Sequence, residues 1–365
     1  MRILHTESSL GWGGQEIRVL TEARGVAARG HAVLLAAPAE ARIFAEAARH
    51  GVEAVALPIG RKRPRGVAAL RKLLASRAFD VVNTHSSTDS WLAALACATL
   101  ANAPALVRTR HISAPAPGNA ATRWLYTRAA RRIVTTGERL RAQVIAETGA
   151  DPERVVSIPT GIDLARFRPG DRRAARAALG LAADAPLVGI VATLRSWKGH
   201  RYLVEAMAGI TAPGAMLAIV GDGPQYQALE SLVRDRGLAD RVRFAGNQED
   251  VAPWLRAFDV FCLPSYANEG VPQALMQAMA CALPVVTTPV GSIEEIVADG
   301  ETGVLVPPQD VERLRAALES LLADADRRHA LGERARAAAA ARFGGDRMVD
   351  RMVEVFAAAS GARDG

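Results

Sequence analysis

Short apolar runs recur along the chain, and stretches with helical periodicity separate them. Arg2 to His5, Ala32 to Ala37, Val52 to Leu57, Asp80 to Thr84, Ala105 to Thr109, Arg131 to Thr135 and Val155 to Ile158 read as buried strands. A glycine-rich turn, Ser8 to Gln15, leads into a helix running to about Arg29, with Ile17, Leu20 and Val26 on one side and a stop signal at Gly30. Further helices are predicted up to about Arg77, from Ser90 to Leu100, and up to about Thr148. Pro159 to Gly170 is rich in proline, glycine and turn residues and reads as a connection between domains. The alternation then restarts. Leu187 to Ala192, Met216 to Val220, Val242 to Ala245, Asp259 to Leu263, Leu283 to Thr287 and Gly303 to Val306 read as strands. The tail is helical from about Val311, with one helix from Asp326 to Arg342 and another from about Asp346 to Ala358, broken at Gly344-Gly345. Repeated βα units with right-handed crossovers predict an α/β, doubly wound parallel sheet. At 365 residues the chain exceeds one typical core, so two such domains are expected. Their bounds read as 1–165 and 171–343, with a closing helix at 346–359.

In such sheets ligands bind beyond the carboxyl ends of the strands. Gly11 to Gln15, His85 and Arg110-His111 all fall at such ends. So does the loop after Leu263, where Glu269 and Gly270 precede a helix spanning Ala274 to Cys281, with Pro272 suited to its first turn. Free N–H groups at that helix start attract anions and phosphates. An ordinary strand–loop–helix connection has the same outline. The glycines at 11–14 lack dinucleotide-fingerprint spacing and no acid ends the second strand, so NAD is not expected.

Composition narrows the classes. The net charge of +7 suits nucleic acid, an anionic membrane surface or a multiply anionic substrate. Aromatics at 5% argue against stacking platforms, so no nucleic acid is expected. The bases are nearly all arginine; Lys62, Lys72 and Lys198 are the only lysines, so Lys198 marks a place where a compact ammonium is wanted, or chance. Cys97, Cys262 and Cys281 lie in apolar contexts without metal-ligand spacing, as reduced core residues. Met1 to Glu7 has no apolar h-region and no segment is long enough to span a bilayer, so neither a signal peptide nor a membrane span is expected and a cytoplasmic location is.

Gly30-His31-Ala32-Val33, Gly161-Ile162-Asp163 with Phe167 and Pro169, Lys198-Gly199, Gly221-Asp222-Gly223-Pro224, Glu269-Gly270-Val271-Pro272 and Asp299-Gly300-Glu301-Thr302-Gly303 form an ordered set. That set resembles the GT-B glycosyltransferases of family 4, and the resemblance covers nearly the whole chain. It implies two Rossmann-like domains facing across a cleft, with the nucleotide sugar mainly on the second, the acceptor on the first, and a last helix crossing back onto the first. It implies retaining transfer with no metal or other cofactor, Lys198 and the backbone of Gly270 to Gln273 stabilising the departing diphosphate. Glu269 matches the acid near the transferred sugar, and His111 a histidine that reaches it. Gly13 and Gly14 match the loop approaching the diphosphate from the first domain, and Gly221 belongs to a matched donor-side motif. Glu295 matches an acid opening the helix beside the nucleotide; it also suits a plain first-turn dipole partner.

Three positions depart from the family pattern. The second acid of the Glu-x7-Glu motif is Gln277, which loses the two-oxygen grip on ribose hydroxyls. The usual diphosphate arginine is Thr193; Arg195 substitutes for it only if the loop stays extended, and otherwise faces solvent. Thr160 stands where the family usually has Asn. The resemblance implies a nucleotide-diphosphate sugar donor and a saccharide or lipid-linked acceptor of a cell-surface glycan, such as lipopolysaccharide core. Arg61 to Arg65 with Arg123, Arg128, Arg131 and Arg132 suggest peripheral contact with the cytoplasmic face of the inner membrane. A non-catalytic nucleotide-sugar binder is the alternative that Gln277 and Thr193 raise.

Overall fold

The computed structural model describes residues 1–112, 114–267 and 269–361; Asn268, in the loop singled out above, lies outside them. The chain divides into two compact units, Met1–Gly161 with Gly345–Gly365, and Ile162–Gly344.

The first unit carries a parallel sheet in the order β3-β2-β1-β4-β5-β6-β7. Its strands are β1 (Arg2–Thr6), β2 (Ala32–Ala37), β3 (Ala54–Ala56), β4 (Val81–Thr84), β5 (Ala105–Arg110), β6 (Arg132–Thr135) and β7 (Val155–Ser157). The order reverses at β1, which pairs with β2 through Ile3–Val33 and with β4 through Ile3–Val81. Both faces are covered, so β4 is buried along its whole length. The helices α1 (Gly14–Ala28), α2 (Arg42–Ala47), α3 (Pro64–Ser76), α4 (Ser87–Ala98), α5 (Ala120–Trp124) and α6 (Glu138–Thr148) make the crossovers. The last helix, Gly345–Gly361, packs Met348, Val349, Met352, Val355 and Phe356 against Ile3, Val26, Val81 and Val107. Full burial of such a side chain is worth roughly 1.5–3 kcal/mol. Gly25 admits it: a Cβ there would lie 2.5 Å from Val349 Cγ2.

The second unit carries a parallel sheet in the order β10-β9-β8-β11-β12-β13. Here α7 (Arg172–Ala178) leads into β8 (Leu187–Val191), α8 (His200–Gly209), β9 (Met216–Val220), α9 (Tyr226–Asp235), β10 (Val242–Gly246), α10 (Ala252–Ala257), β11 (Val260–Leu263), α11 (Gln273–Ala280), β12 (Val285–Thr287), β13 (Val304–Leu305), α12 (Val311–Ala323) and α13 (Ala325–Phe343). The order reverses between β8 and β11. Buried Arg176 ties α7 to the sheet: its Nη2 lies 2.7 Å from Asp259 Oδ2 and its Nε donates to Ala257 O at 2.8 Å.

Three local expectations are corrected. Ile17 is exposed, and α1 turns Glu16, Arg18 and Glu22 inward instead. Pro272 is the residue before α11, not part of its first turn. Glu295 closes a single 3-10 turn, Ile293–Glu295, so no α-helix opens there.

Candidate active site

In the second unit, the reversal of strand order brings the loops after β8 and β11 together. Lys198 Nζ lies 2.7 Å from Glu269 Oε1 and 3.0 Å from Oε2. Ser265 Oγ donates to Oε1 at 2.6 Å. The Glu269 side chain is only 4% exposed, so its charge is satisfied by these donors rather than by water. Glycines set the spacing. A Cβ on Gly199, at φ +77°, would lie 1.9 Å from Pro264 O. One on Gly291, at φ +62°, would lie 2.0 Å from Glu269 O. No side chain fits at either place. Tyr266 N donates to Trp197 O at 2.9 Å, Ser292 N to Gly270 O at 3.3 Å, and Thr288 Oγ1 to Ser265 O. Three loops are thereby stitched around one ammonium–carboxylate pair. Gly270 to Pro272 then carry the chain into the N-terminus of α11, whose positive dipole end favours an anion.

In the first unit, a cavity of about 350 Å³ opens beyond the carboxyl ends of β4 and β5. Lys62, Arg108, Arg110 and His111 line it, with Trp91 and Tyr126 as aromatic walls. No carboxylate is among its described lining residues. Arg108 Nε and Arg110 Nη1 both donate to the Tyr126 hydroxyl at 2.9 Å. Behind the cavity three imidazoles form a column. His111 Nε2 is 3.0 Å from His85 Nδ1, and His85 Nε2 is 3.0 Å from His5 Nδ1. Burial lowers the pKa of His5 to about 4. Burial first, then neighbouring positive charge, puts His85 and His111 well below the ordinary histidine value. All three are neutral near pH 7, so each link passes one proton and the tautomers are coupled. His111 presents Nδ1 as the ring nitrogen outside the column.

His5, Glu22 and His85 place ligand atoms within 4.8 Å of one another, which is metal-site spacing. Two of the imidazole nitrogens already face each other, and the buried Arg18 guanidinium lies 3.6 Å from Glu22. A divalent ion would add charge beside that cation, so the cluster reads as polar core.

The model of the family described as glycosyl transferases group 1 matches residues 171–338, and that of glycosyltransferase family 4 matches residues 12–166. Between them they take in most of the chain. It belongs to the GT-B glycosyltransferases of family 4. Among curated relatives, a D-inositol 3-phosphate glycosyltransferase of Geodermatophilus obscurus is 37% identical over 243 residues, covering 63% of this chain and 53% of its own. One from Mycobacterium marinum is 33% identical over 308 residues, covering 78% and 64%. The chain thus spans about half to two thirds of the length of these relatives. Anabaena HepE, crystallised with UDP, superposes with a TM-score of 0.86 at 22% identity over 98% of this chain and 100% of that one, a likeness of fold.

In this family 4 chain, Lys198, Glu269, Gly270, Val271 and Pro272 lie together, with Gln277 half-buried one turn into α11. Gly221 packs its backbone on the β8 loop: a Cβ would lie 2.1 Å from Ala192 O. Glu295 is half-buried, its carbonyl accepting from Arg342. Arg195 N donates to Thr193 O at 2.7 Å, so the loop turns at Leu194 and the extended course that would aim Arg195 like Thr193 is interrupted. Arg195 is exposed, 5.7 Å from the Trp197 ring centre. In the first unit Gly13 precedes α1 and Gly14 opens it, while His111 reaches the cavity. Sequence reasoning missed Ser265, Glu7, Ser86, Arg108 and Tyr126. Glu7 and Ser86 carried the same signal as His85, a polar residue just past a strand's carboxyl end.

Proposed function

We propose that the chain is a retaining glycosyltransferase. It moves a sugar from a nucleoside diphosphate, bound by the second unit, to a hydroxyl of an acceptor bound in the first-unit cavity. The observation that carries this is the buried Lys198–Glu269–Ser265 group beside the start of α11. When the bond from the anomeric carbon to the diphosphate oxygen breaks, negative charge grows on the leaving group. Lys198 has three donors and uses two on Glu269, so one is left for the diphosphate. The N–H groups after Glu269 supply further donors without any metal. Glu269, held by two partners, keeps its carboxylate fixed beside the transferred sugar. The acceptor's hydroxyl proton leaves with the nucleoside diphosphate, which balances the transfer.

The acceptor reading moves away from lipopolysaccharide core. The curated relatives are named for inositol 3-phosphate, and the cavity offers Lys62, Arg108 and Arg110 with no facing carboxylate among its described lining residues. A small phosphorylated polyol matches both. A lipid-linked glycan acceptor remains the second reading, motivated by the basic stretches Arg61 to Arg65 and Arg123 to Arg132. No helix among the described residues is long and apolar enough to cross a membrane, so that reading requires peripheral contact. The test is a matrix of UDP-, GDP- and ADP-sugars against D-inositol 3-phosphate and lipid-linked acceptors, in EDTA. Mass spectrometry reads transfer and NMR reads the anomeric configuration. Transfer with inversion sinks the retaining mechanism. Nucleotide-sugar binding without transfer to any acceptor favours the non-catalytic reading raised by Gln277 and Thr193.

A further inference from the structure

Glu7 follows β1 directly and is fully buried, and neither the family pattern nor the transfer chemistry uses it. Its carboxylate accepts three hydrogen bonds from three separate segments. Ser9 N donates to Oε1 at 2.8 Å, Ser86 Oγ donates to the same oxygen, and Gln15 Nε2 donates to Oε2 at 2.6 Å. Ser9 lies in the glycine-rich loop, Gln15 in the first turn of α1, and Ser86 immediately before α4. These same three residues line one side of the 350 Å³ cavity.

The direction of each bond matters. An ionised carboxylate only accepts, so it consumes one donor from each of the three residues. What remains for a ligand is the Gln15 carbonyl oxygen and the Ser9 hydroxyl proton, the Ser9 oxygen itself accepting from Gly11 N at 3.0 Å. The Ser86 hydroxyl has spent its proton on Glu7 and accepts from Gln15 Nε2 at 3.4 Å and, in its capping box, from the Asp89 N–H. Gln15 has turned its amide nitrogen inward and keeps its carbonyl oxygen. Ser86 is fixed from behind as well, its N–H donating to Asp89 Oδ1 at 2.8 Å in a capping box that starts α4.

We propose that Glu7 is a positioning residue for the acceptor: it locks Ser9, Gln15 and Ser86 into a wall that presents the Gln15 carbonyl oxygen and the Ser9 hydroxyl to the hydroxyl groups of a polyol. The wall complements the cations Lys62, Arg108 and Arg110 in the same cavity, so the preferred ligand carries hydroxyl groups and an anionic group together. The proposal rests on the reading of this cavity as the acceptor site.

A merely structural role makes a different prediction. Burial raises the Glu7 pKa while the donors from Ser86, Gln15 and Ser9 work the other way, so the carboxylate these donors hold adds no net stability as pH rises. A neutral replacement therefore should not destabilise the protein. Glu7→Gln keeps one acceptor oxygen but turns an amide donor against the Gln15 donor. The exchange Glu7→Gln with Gln15→Glu restores a complementary pair at the same net charge.

The experiment uses the full chain. Hydrogen exchange over residues 8–15 is expected to speed up in Glu7→Gln and return to the wild-type rate in the double exchange. The KM for D-inositol 3-phosphate is expected to rise about tenfold in the single variant, kcat changing less, and to recover in the double exchange. The melting temperature of Glu7→Gln should stay within about 2 °C of wild type. Unchanged exchange and unchanged KM, or a KM that the double exchange does not rescue, overturns the proposal and leaves the transferase reading standing. A wild type that transfers to no acceptor overturns that reading, and the acceptor role of Glu7 falls with it.

Discussion

Replacing Gly291 by alanine puts the geometry around Glu269 to a direct test. Gly291 has φ +62°, and a Cβ built on it lies 2.0 Å from Glu269 O, 2.7 Å from Glu269 C and 3.0 Å from Glu269 Cβ. Ordinary contact begins at 3.4 Å, so the oxygen and the new methyl group must separate by about 1.4 Å. The neighbouring atoms have little room, because Ser265, Thr288 and Lys198 hold the loops on three sides. The displacement therefore passes into Glu269. A misplacement of about 1 Å in a catalytic group lowers rate by on the order of 100-fold. The left-handed backbone alone adds a penalty of roughly 1–2 kcal/mol for alanine, without touching the site. Gly237 isolates that penalty: it has φ +65° in the same unit, with nothing within 4 Å of its would-be Cβ. Both variants are assayed for sugar transfer from the preferred nucleotide sugar and for thermal unfolding. Gly237→Ala should lose stability and keep its rate; Gly291→Ala should lose both. If the two variants transfer at rates within about threefold of each other, the clamp on Glu269 does not position it.

Lys198→Ala leaves the Glu269 carboxylate buried with Ser265 as its remaining side-chain donor among the described residues, so it should lower stability by about 1–3 kcal/mol and remove most transfer; a urea midpoint equal to wild type would refute the pairing. Asp259→Asn strands the buried Arg176 guanidinium and should lower unfolding free energy by about 3–5 kcal/mol, with activity in the surviving folded fraction intact. Acid should unfold the protein through its histidines. The folded pKa values of buried His5, His85, His111 and His200 lie below 6.5, so the unfolded state binds protons first and stability falls between about pH 6.5 and 4, His5 alone contributing roughly 3 kcal/mol. Glu22 and Asp89, pushed up to about 7 by burial, take protons in the fold and offset part of that loss; a urea midpoint that rises from pH 6.5 to 4.5 would refute the balance.

The strands were legible because both faces of a parallel sheet are covered, which leaves unbroken apolar runs. Ala32–Ala37 and Met216–Val220 match the sequence reading residue for residue, and most others shift only at their ends. The helices that went unread, α2, α5 and α7, run for only six, five and seven residues, too short for an apolar stripe to repeat. Arg172–Ala178 is held by Arg176 reaching Asp259, a contact across 83 residues that no local pattern displays.

The site divides along the same line. Part of it was readable from where polar residues fall after strands: His85 lies just past β4 in the first unit, and Lys198 and Glu269 lie past β8 and β11 in the second. Its charge balance was not. α1 buries Arg18 and Glu22 where a periodic reading expects aliphatic residues, because their partners are Ile158 O and Asn83, from distant strands. Lys198 is the instructive case between these. In a chain that otherwise favours arginine, a guanidinium there would fork onto both oxygens of Glu269 and stay planar against them. An ammonium makes the same two contacts at 2.7 and 3.0 Å and still has a third proton on another axis. In the proposed transfer that third donor would go to the departing diphosphate, and on that reading the residue type answers to the chemistry rather than to the pairing with Glu269 alone.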